Sequence, residues 1–281
     1  MRLKVFKTLW GFEGDYRDAI RSALREGFDG IEGPVPASKQ DVTELAMLLE
    51  DSGLAYIAEI ATTGSYVPDR RLGLQDHLDD LAAKLVLASE LQPLLVTCLG
   101  GCDAWSQTQS LEFLQWAMDL ADRQGLPICF ETHRGRSLFN PWVTRQIVDL
   151  LPEVRITCDF SHWYVVCEGL QQGEEEIIRS LLGNAGHIHG RVGYDQGPQV
   201  PDPRSALYAA ELHRHLQWWR WIWLQHINEK RDYTTVTPEF GPDGYDYRDP
   251  VTGMTLIKPA LLNHWMAGRL RDEYSTLQNG Q

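Results

Sequence analysis

Cysteine is scarce and unpatterned in this chain. Its five thiols, Cys98, Cys102, Cys129, Cys158 and Cys167, are odd in number and include no CxxC pair. That argues against a disulfide framework and a thiolate zinc site, and leaves buried reduced thiols as the ordinary reading. Basic residues are also in deficit: 26 Lys and Arg face 39 Asp and Glu, a formal charge of −13. Nucleic acid and anionic membranes are held by clustered cations that release counterions, so both are disfavoured as partners. No apolar run approaches the roughly 20 residues of a membrane span. The start, Met1-Arg2-Leu3-Lys4-Val5-Phe6, enters a strand pattern without the apolar core and cleavage site of a signal peptide, so a cytoplasmic protein is expected. Linkers, charge blocks, low-complexity tracts and long internal repeats are missing too. The 281 residues are therefore read as one domain, 1–281, a size at which α/β barrels of about 250 residues are common.

What the chain does have is regular alternation. Strand-like runs at 3–9, 27–34, 55–60, 94–98, 127–131, 154–159, 187–189 and 234–239 alternate with helical stretches. The helices are expected at 15–26, 38–52, 74–91, 106–124, 141–151, 172–182 and 204–230, with a last one from Lys258-Pro259 that fades before the polar tail Gln278-Asn279-Gly280-Gln281. Asp15 is a plausible cap and Gly27 a plausible stop for the first helix. Eight βα units predict a closed (β/α)8 TIM barrel of the α/β class rather than a doubly wound sheet.

Four of the later strands end abruptly in ionisable groups: Cys129-Phe130-Glu131, Thr157-Cys158-Asp159 with His162 beyond it, His187-Ile188-His189, and Thr237-Pro238-Glu239. A barrel presents its catalytic groups at the downstream ends of different strands. Neighbouring strands lie about 4.8 Å apart, so four consecutive ends can converge on one ion. Glu131, Asp159, His189 and Glu239 form a mostly oxygen set with one nitrogen, suited to Mn²⁺, Mg²⁺, Co²⁺ or Zn²⁺ and open to substrate oxygens. His187 shares the face of His189 but lies a layer lower, where it packs against or orients the ligand.

The order Glu, Asp-x-x-His, His-x-His, Glu resembles the xylose isomerase-like TIM barrel superfamily, in particular its sugar phosphate isomerase/epimerase branch with the ketose 3-epimerases and inosose dehydratases. Gly27-Phe28-Asp29-Gly30-Ile31-Glu32 resembles the second-strand motif of that branch. The resemblance implies that Glu131, Asp159, His189 and Glu239 bind the metal. It also implies that Glu131 and Glu239 serve as acid and base on opposite faces of a carbohydrate-like substrate, and that His162 bonds a substrate oxygen. Metal-assisted chemistry beside a carbonyl asks for the same parts: an enediolate stabilised by the ion, and a carboxylate on each face to move the proton.

The pattern departs from the epimerases in two places. Arg191 follows His189 almost at once, where the epimerases carry their substrate-binding arginine further on and this chain has Asp195; Arg191 is still placed as a substrate-positioning group. The loop after the fifth strand is unusually basic, with His133, Arg134 and Arg136. These read either as salt-bridge partners or as a pocket for a substrate phosphate or carboxylate. Trp10 and Trp105 are candidates for an apolar wall against a sugar, or for packing. An apurinic endonuclease in the same superfamily needs histidines after the third and fourth strands, where this chain reads Ala58-Glu59-Ile60-Ala61 and Thr97-Cys98-Leu99-Gly100.

The leading expectation is thus a divalent-metal-dependent isomerase or epimerase of a sugar or sugar phosphate. A dehydratase of a keto-polyol and a non-catalytic scaffold barrel are its rivals. Trp218-Trp219-Arg220-Trp221-Ile222-Trp223 covers every face of a helix. Either it packs between neighbours or it forms the interface of a homo-oligomer.

Overall fold

Eight parallel strands pair in chain order, and the eighth closes on the first, in the computed structural model, which describes residues 1–242 and 244–279. They are β1 (Arg2–Thr8), β2 (Gly30–Pro34), β3 (Ala55–Ala61), β4 (Leu95–Leu99), β5 (Ile128–Glu131), β6 (Ile156–Cys158), β7 (Ala185–His189) and β8 (Tyr233–Thr237). The helices are α1 (Tyr16–Arg25), α2 (Lys39–Ser52), α3 (Leu74–Glu90), α4 (Gln107–Arg123), α5 (Pro141–Leu150), α6 (Phe160–Val166), α7 (Gln172–Ser180), α8 (Ala209–Asn228) and α9 (Pro259–Asn279). This is the (β/α)8 barrel that the alternation predicts. The last helix runs through Gln278 and Asn279; Gly280 and Gln281 of the expected tail lie outside the described residues.

Two local differences matter for the site. The short helix α6 is not anticipated, because Phe160-Ser161-His162-Trp163-Tyr164-Val165-Val166 carries no helical polar face; all but its last two residues are buried. Asp159 starts it, its side chain accepting from Ser161 N, as a capping aspartate does. β6 and β8 are also shorter than expected. Asp159 follows the last residue of β6, and Glu239 lies two residues past the end of β8.

Side chains alternate across each strand, so the barrel interior is layered. Phe6, Ile57 and Leu95 plug the floor as an apolar cluster separate from the main core. Gly30 makes room for this plug, since a Cβ there would sit 2.5 Å from the Phe6 ring and 2.2 Å from the Ala55 carbonyl oxygen. Above it the layer turns polar, with Thr97 and Thr157 hydroxyls 3.1 Å apart. The main core fills the space between the outer strand faces and the helices.

The tryptophan run on α8 mostly belongs to that core. Trp218, Trp219 and Trp223 are fully buried, and Trp223 packs edge-on against Tyr274 of α9. Trp221 alone reaches the surface, and the Arg179 guanidinium of α7 lies over its ring at 3.4 Å from the centroid. Among the described residues, no helix is long and apolar enough to cross a membrane. Truncating Trp219 to Ala should therefore cost about 3–5 kcal/mol, read as a lowered urea midpoint, whereas Trp221→Ala should cost about 1 kcal/mol or less. Equal losses would contradict this placement.

Candidate active site

The C-terminal rim of the barrel carries the ionisable strand ends. One donor atom from each of Glu131, Asp159, His189 and Glu239 lies within 4.8 Å of the others, and all four side chains are buried. Register explains the convergence: Glu131 lies opposite Thr157 across β5 and β6, and His189 lies opposite Thr237 across β7 and β8.

A residue that the sequence reading names only within the second-strand motif, without a role, sets the geometry of this group. Glu32, the inward-facing carboxylate of β2, takes His187 Nε2 at 3.1 Å and His189 Nε2 at 3.0 Å on its two oxygens. A buried carboxylate at this site accepts and does not donate, so both histidines carry their proton on Nε2. Burial opposes the Glu32 charge, but His187 and His189 outweigh it and hold the carboxyl well below its usual range. On the far side of His187, Nδ1 accepts from the Thr235 hydroxyl at 2.8 Å. His187 thus orients the ligand set through Glu32, the supporting part its lower layer suggests.

The consequence falls on the other nitrogen of His189. Its Nδ1 lies 3.1 Å from Glu239 Oε2 and 3.7 Å from Glu131 Oε1, yet makes no hydrogen bond. The surrounding carboxylates raise His189 well above 6.5, so without an ion a second proton sits on this nitrogen, and a metal cation would take that proton's place. Charge points the same way. Four buried carboxylates, Glu32, Glu131, Asp159 and Glu239, face the guanidinium of Arg191 and the imidazole of His189. The residues therefore fit a divalent ion, by donor chemistry and by charge.

Arg191 is the hinge between this group and the rest of the pocket. It ion-pairs with Asp159 and lies 3.6 Å from Glu239; its Nε donates to Ser161 Oγ at 3.1 Å, and Nη2 donates to His162 Nε2 at 2.7 Å. An arginine only donates, so His162 keeps its proton on Nδ1, a buried atom without a hydrogen-bond partner. Burial, the neighbouring His133 and Arg191 hold His162 neutral, well below its ordinary pKa. The His133 ring lies 3.9 Å from that of His162, with its own Nδ1 unbonded.

The remaining candidates separate. Trp10 forms a roof: its Nε1 donates to Tyr66 Oη at 2.8 Å, its ring meets Tyr245 edge-on, and Arg191 lies beneath both. Gly241 permits this, because a Cβ there would overlap the Trp10 ring at 2.1 Å. Trp105 instead packs against His77 and Phe113. Arg136 is fully buried and donates to the backbone carbonyls of Thr62, Ser65, Tyr66 and Gly101, so it ties loops together rather than facing substrate. Arg134 is exposed, 5.4 Å from the Tyr245 ring centroid. Besides Glu32, sequence reasoning missed Tyr66, Tyr245 and Glu59. Strand alternation turns Glu59 inward on β3, where it lines the central pocket with Glu131, Arg191 and Glu239.

The model of the family described as xylose isomerase-like TIM barrel matches residues 20–217. No protein of curated function matches the sequence. Solved structures share the fold at low identity. An L-ribulose 3-epimerase superposes with a TM-score of 0.68 at 14% identity, covering 100% of this chain and 97% of the other. The D-allulose 3-epimerase from Methylomonas sp. in complex with D-allulose gives 0.66 at 15%, covering 97% and 98%. Endonuclease IV from Thermus thermophilus gives 0.61 at 14%, covering 98% and 100%. A xylose isomerase-like TIM barrel protein from Mycobacterium smegmatis in complex with magnesium gives 0.64 at 14%, covering 96% and 97%.

Titration of the site predicts a stability maximum. Burial pushes Glu131 up to about 7 and Glu59 up to about 8, and the carboxylates around His189 overcome its burial and raise it well above 6.5. In the folded state these groups keep protons that the unfolded chain has lost, so they lower stability as pH rises from 4.5 to about 7 for Glu131, from 4.5 to about 8 for Glu59, and above 6.5 for His189. His77, His215 and His226, held near 4 by burial, act oppositely: the folded protein gains from them as pH rises from about 4 to 6.5. In chelator, the urea midpoint should peak at about pH 6–7 and drop by pH 8.5. Mn²⁺ should remove the drop by binding the deprotonated forms. A midpoint that climbs steadily to pH 8.5 in chelator would contradict this electrostatic reading.

Proposed function

The chain belongs to the xylose isomerase-like TIM barrel family, and from that premise we propose that it is a divalent-metal-dependent isomerase or epimerase acting beside the carbonyl of a sugar or sugar phosphate. The observation that carries the proposal is the convergence of Glu131, Asp159, Glu239 and the unbonded Nδ1 of His189. These four residues would hold Mn²⁺, Mg²⁺, Co²⁺ or Zn²⁺. When bound, such an ion acts as a Lewis acid that polarises a carbonyl and eases loss of the proton on the adjacent carbon.

The chain's own residues supply the proton chemistry. Glu131 and Glu239 reach the pocket from β5 and from beyond β8, so a sugar carbon held between them meets a carboxylate on each face. One removes the proton and leaves an enediolate; the other returns a proton to the opposite face. The raised pKa of Glu131, about 7, suits a group that must both take and give a proton near neutrality. His162, neutral and with its free donor on Nδ1, offers a hydrogen bond to a substrate oxygen. Arg191 holds that tautomer in place and supplies one positive charge to the carboxylates. Trp10, Tyr66 and Tyr245 cover the site and keep water from the reacting carbon.

Ketopentoses, ketohexoses and their phosphates, incubated in D2O with Mn²⁺-loaded protein, should take up deuterium beside the carbonyl. Glu131→Gln and Glu239→Gln should each slow the exchange by about 10²–10⁴-fold without unfolding the protein. Undiminished exchange in both variants would sink the two-carboxylate mechanism, and loss of the mass of water would reassign the protein as a dehydratase.

A further inference from the structure

The central pocket is far too small for the substrate it is asked to turn over. Its free volume is about 20 Å³, room for about one water. Small-molecule sites run to about 300–1,000 Å³. An adjoining cleft between the ends of β2 and β3 holds about 450 Å³, and it shares Trp10, Glu59 and Tyr66 with the central pocket. Two other surface clefts, of about 420 and 320 Å³, share only Trp10 and only Tyr245 with it. The β2–β3 cleft is thus the continuation of the reaction site.

Its lining states what it takes. Leu9, Pro34, Val35, Ile60 and Ala61 form an apolar wall, with Ser65 beside them. Lys84, the lone cation among the described lining residues, is already committed to Asp80 and to the Ala61 carbonyl, at 2.8 Å each. A phosphate would find no free positive group there. Glu59 stands at the junction, half-buried, and its carboxyl makes no hydrogen bond or ion pair to any described residue. The exposed Arg134 lies across Tyr245 on the 320 Å³ cleft instead.

We propose that Glu59 is a specificity-determining residue that hydrogen-bonds a hydroxyl of an uncharged substrate, whose non-reacting part, an extended polyol chain or second sugar ring, lies in the β2–β3 cleft. This rests on the reading of the carboxylate group as the reaction centre and narrows its substrate from sugars and sugar phosphates to uncharged, extended keto-sugars. The apolar wall would stack against the face of the ring, and Glu59 would bond one of its hydroxyls.

The test is calorimetric titration of Mn²⁺-loaded protein with D-fructose, D-fructose 6-phosphate and the keto-disaccharide isomaltulose. The disaccharide should bind about tenfold or more tightly than the phosphate ester, and Glu59→Leu should weaken it by about tenfold, the worth of a strong hydrogen bond. Ala61→Phe, at a partly exposed position on the cleft wall, should abolish the disaccharide preference and leave the thermal melt unchanged. The proposal is overturned if the phosphate ester binds as well as the disaccharide, if no probe binds, or if both variants bind the disaccharide as the parent does. Deuterium exchange on the same samples separates the two claims. Exchange without a disaccharide preference sinks only the specificity proposal, and a preference without exchange sinks only the proposed reaction.

Discussion

Everything at the rim of this barrel depends on the carboxylate of Glu32 and the two histidines it holds. By accepting from Nε2 of both His187 and His189 it decides which nitrogen of His189 is turned toward the other carboxylates. That nitrogen then faces Glu131 and Glu239. Were the Glu32 side chain apolar, nothing would hold the His189 ring in the orientation that turns Nδ1 toward those carboxylates.

The fold serves this arrangement by stratification. An apolar floor of Phe6, Ile57 and Leu95 excludes water from below, threonine hydroxyls and His187 make the transition, and the charged groups lie at the top under Trp10, Tyr66 and Tyr245. Each layer raises the electrostatic stake of the next, because charges interact more strongly as solvent is removed. Arg191 relieves part of the strain between carboxylates and also fixes the tautomer of His162. Arg136 works at a distance, gathering the loops after β3 and β4 by their carbonyls and so holding Tyr66 where Trp10 can reach it.

Much of this was legible in the sequence, and the boundary is physical. Alternating strands and helices announce themselves by periodicity, and Glu131, Asp159, His189 and Glu239 stand out because each closes an apolar run. Glu32 was hidden because its strand, Gly30-Ile31-Glu32-Gly33-Pro34, reads as a stretch broken by Gly and Pro. Glu59 sits inside a strand rather than at its end, so only its inward parity marks it. Tyr66, Tyr245 and the fates of Arg134 and Arg136 belong to loops, whose course is set by tertiary contacts that leave no period in the chain. The tryptophan run on α8 read equally as core or as interface and is mostly core, because Trp218, Trp219 and Trp223 fill space between α8 and its neighbours.

The central claim, that Glu32 prepares His189 and three carboxylates for one divalent ion, is tested most directly by elemental analysis and Mn²⁺ titration of the protein and its Glu32→Gln variant. The account predicts about one ion per chain, with affinity weakened about 10–100-fold in the variant, as for other groups that orient a metal ligand. No ion under any loading condition, or equal affinity in the two proteins, would contradict it.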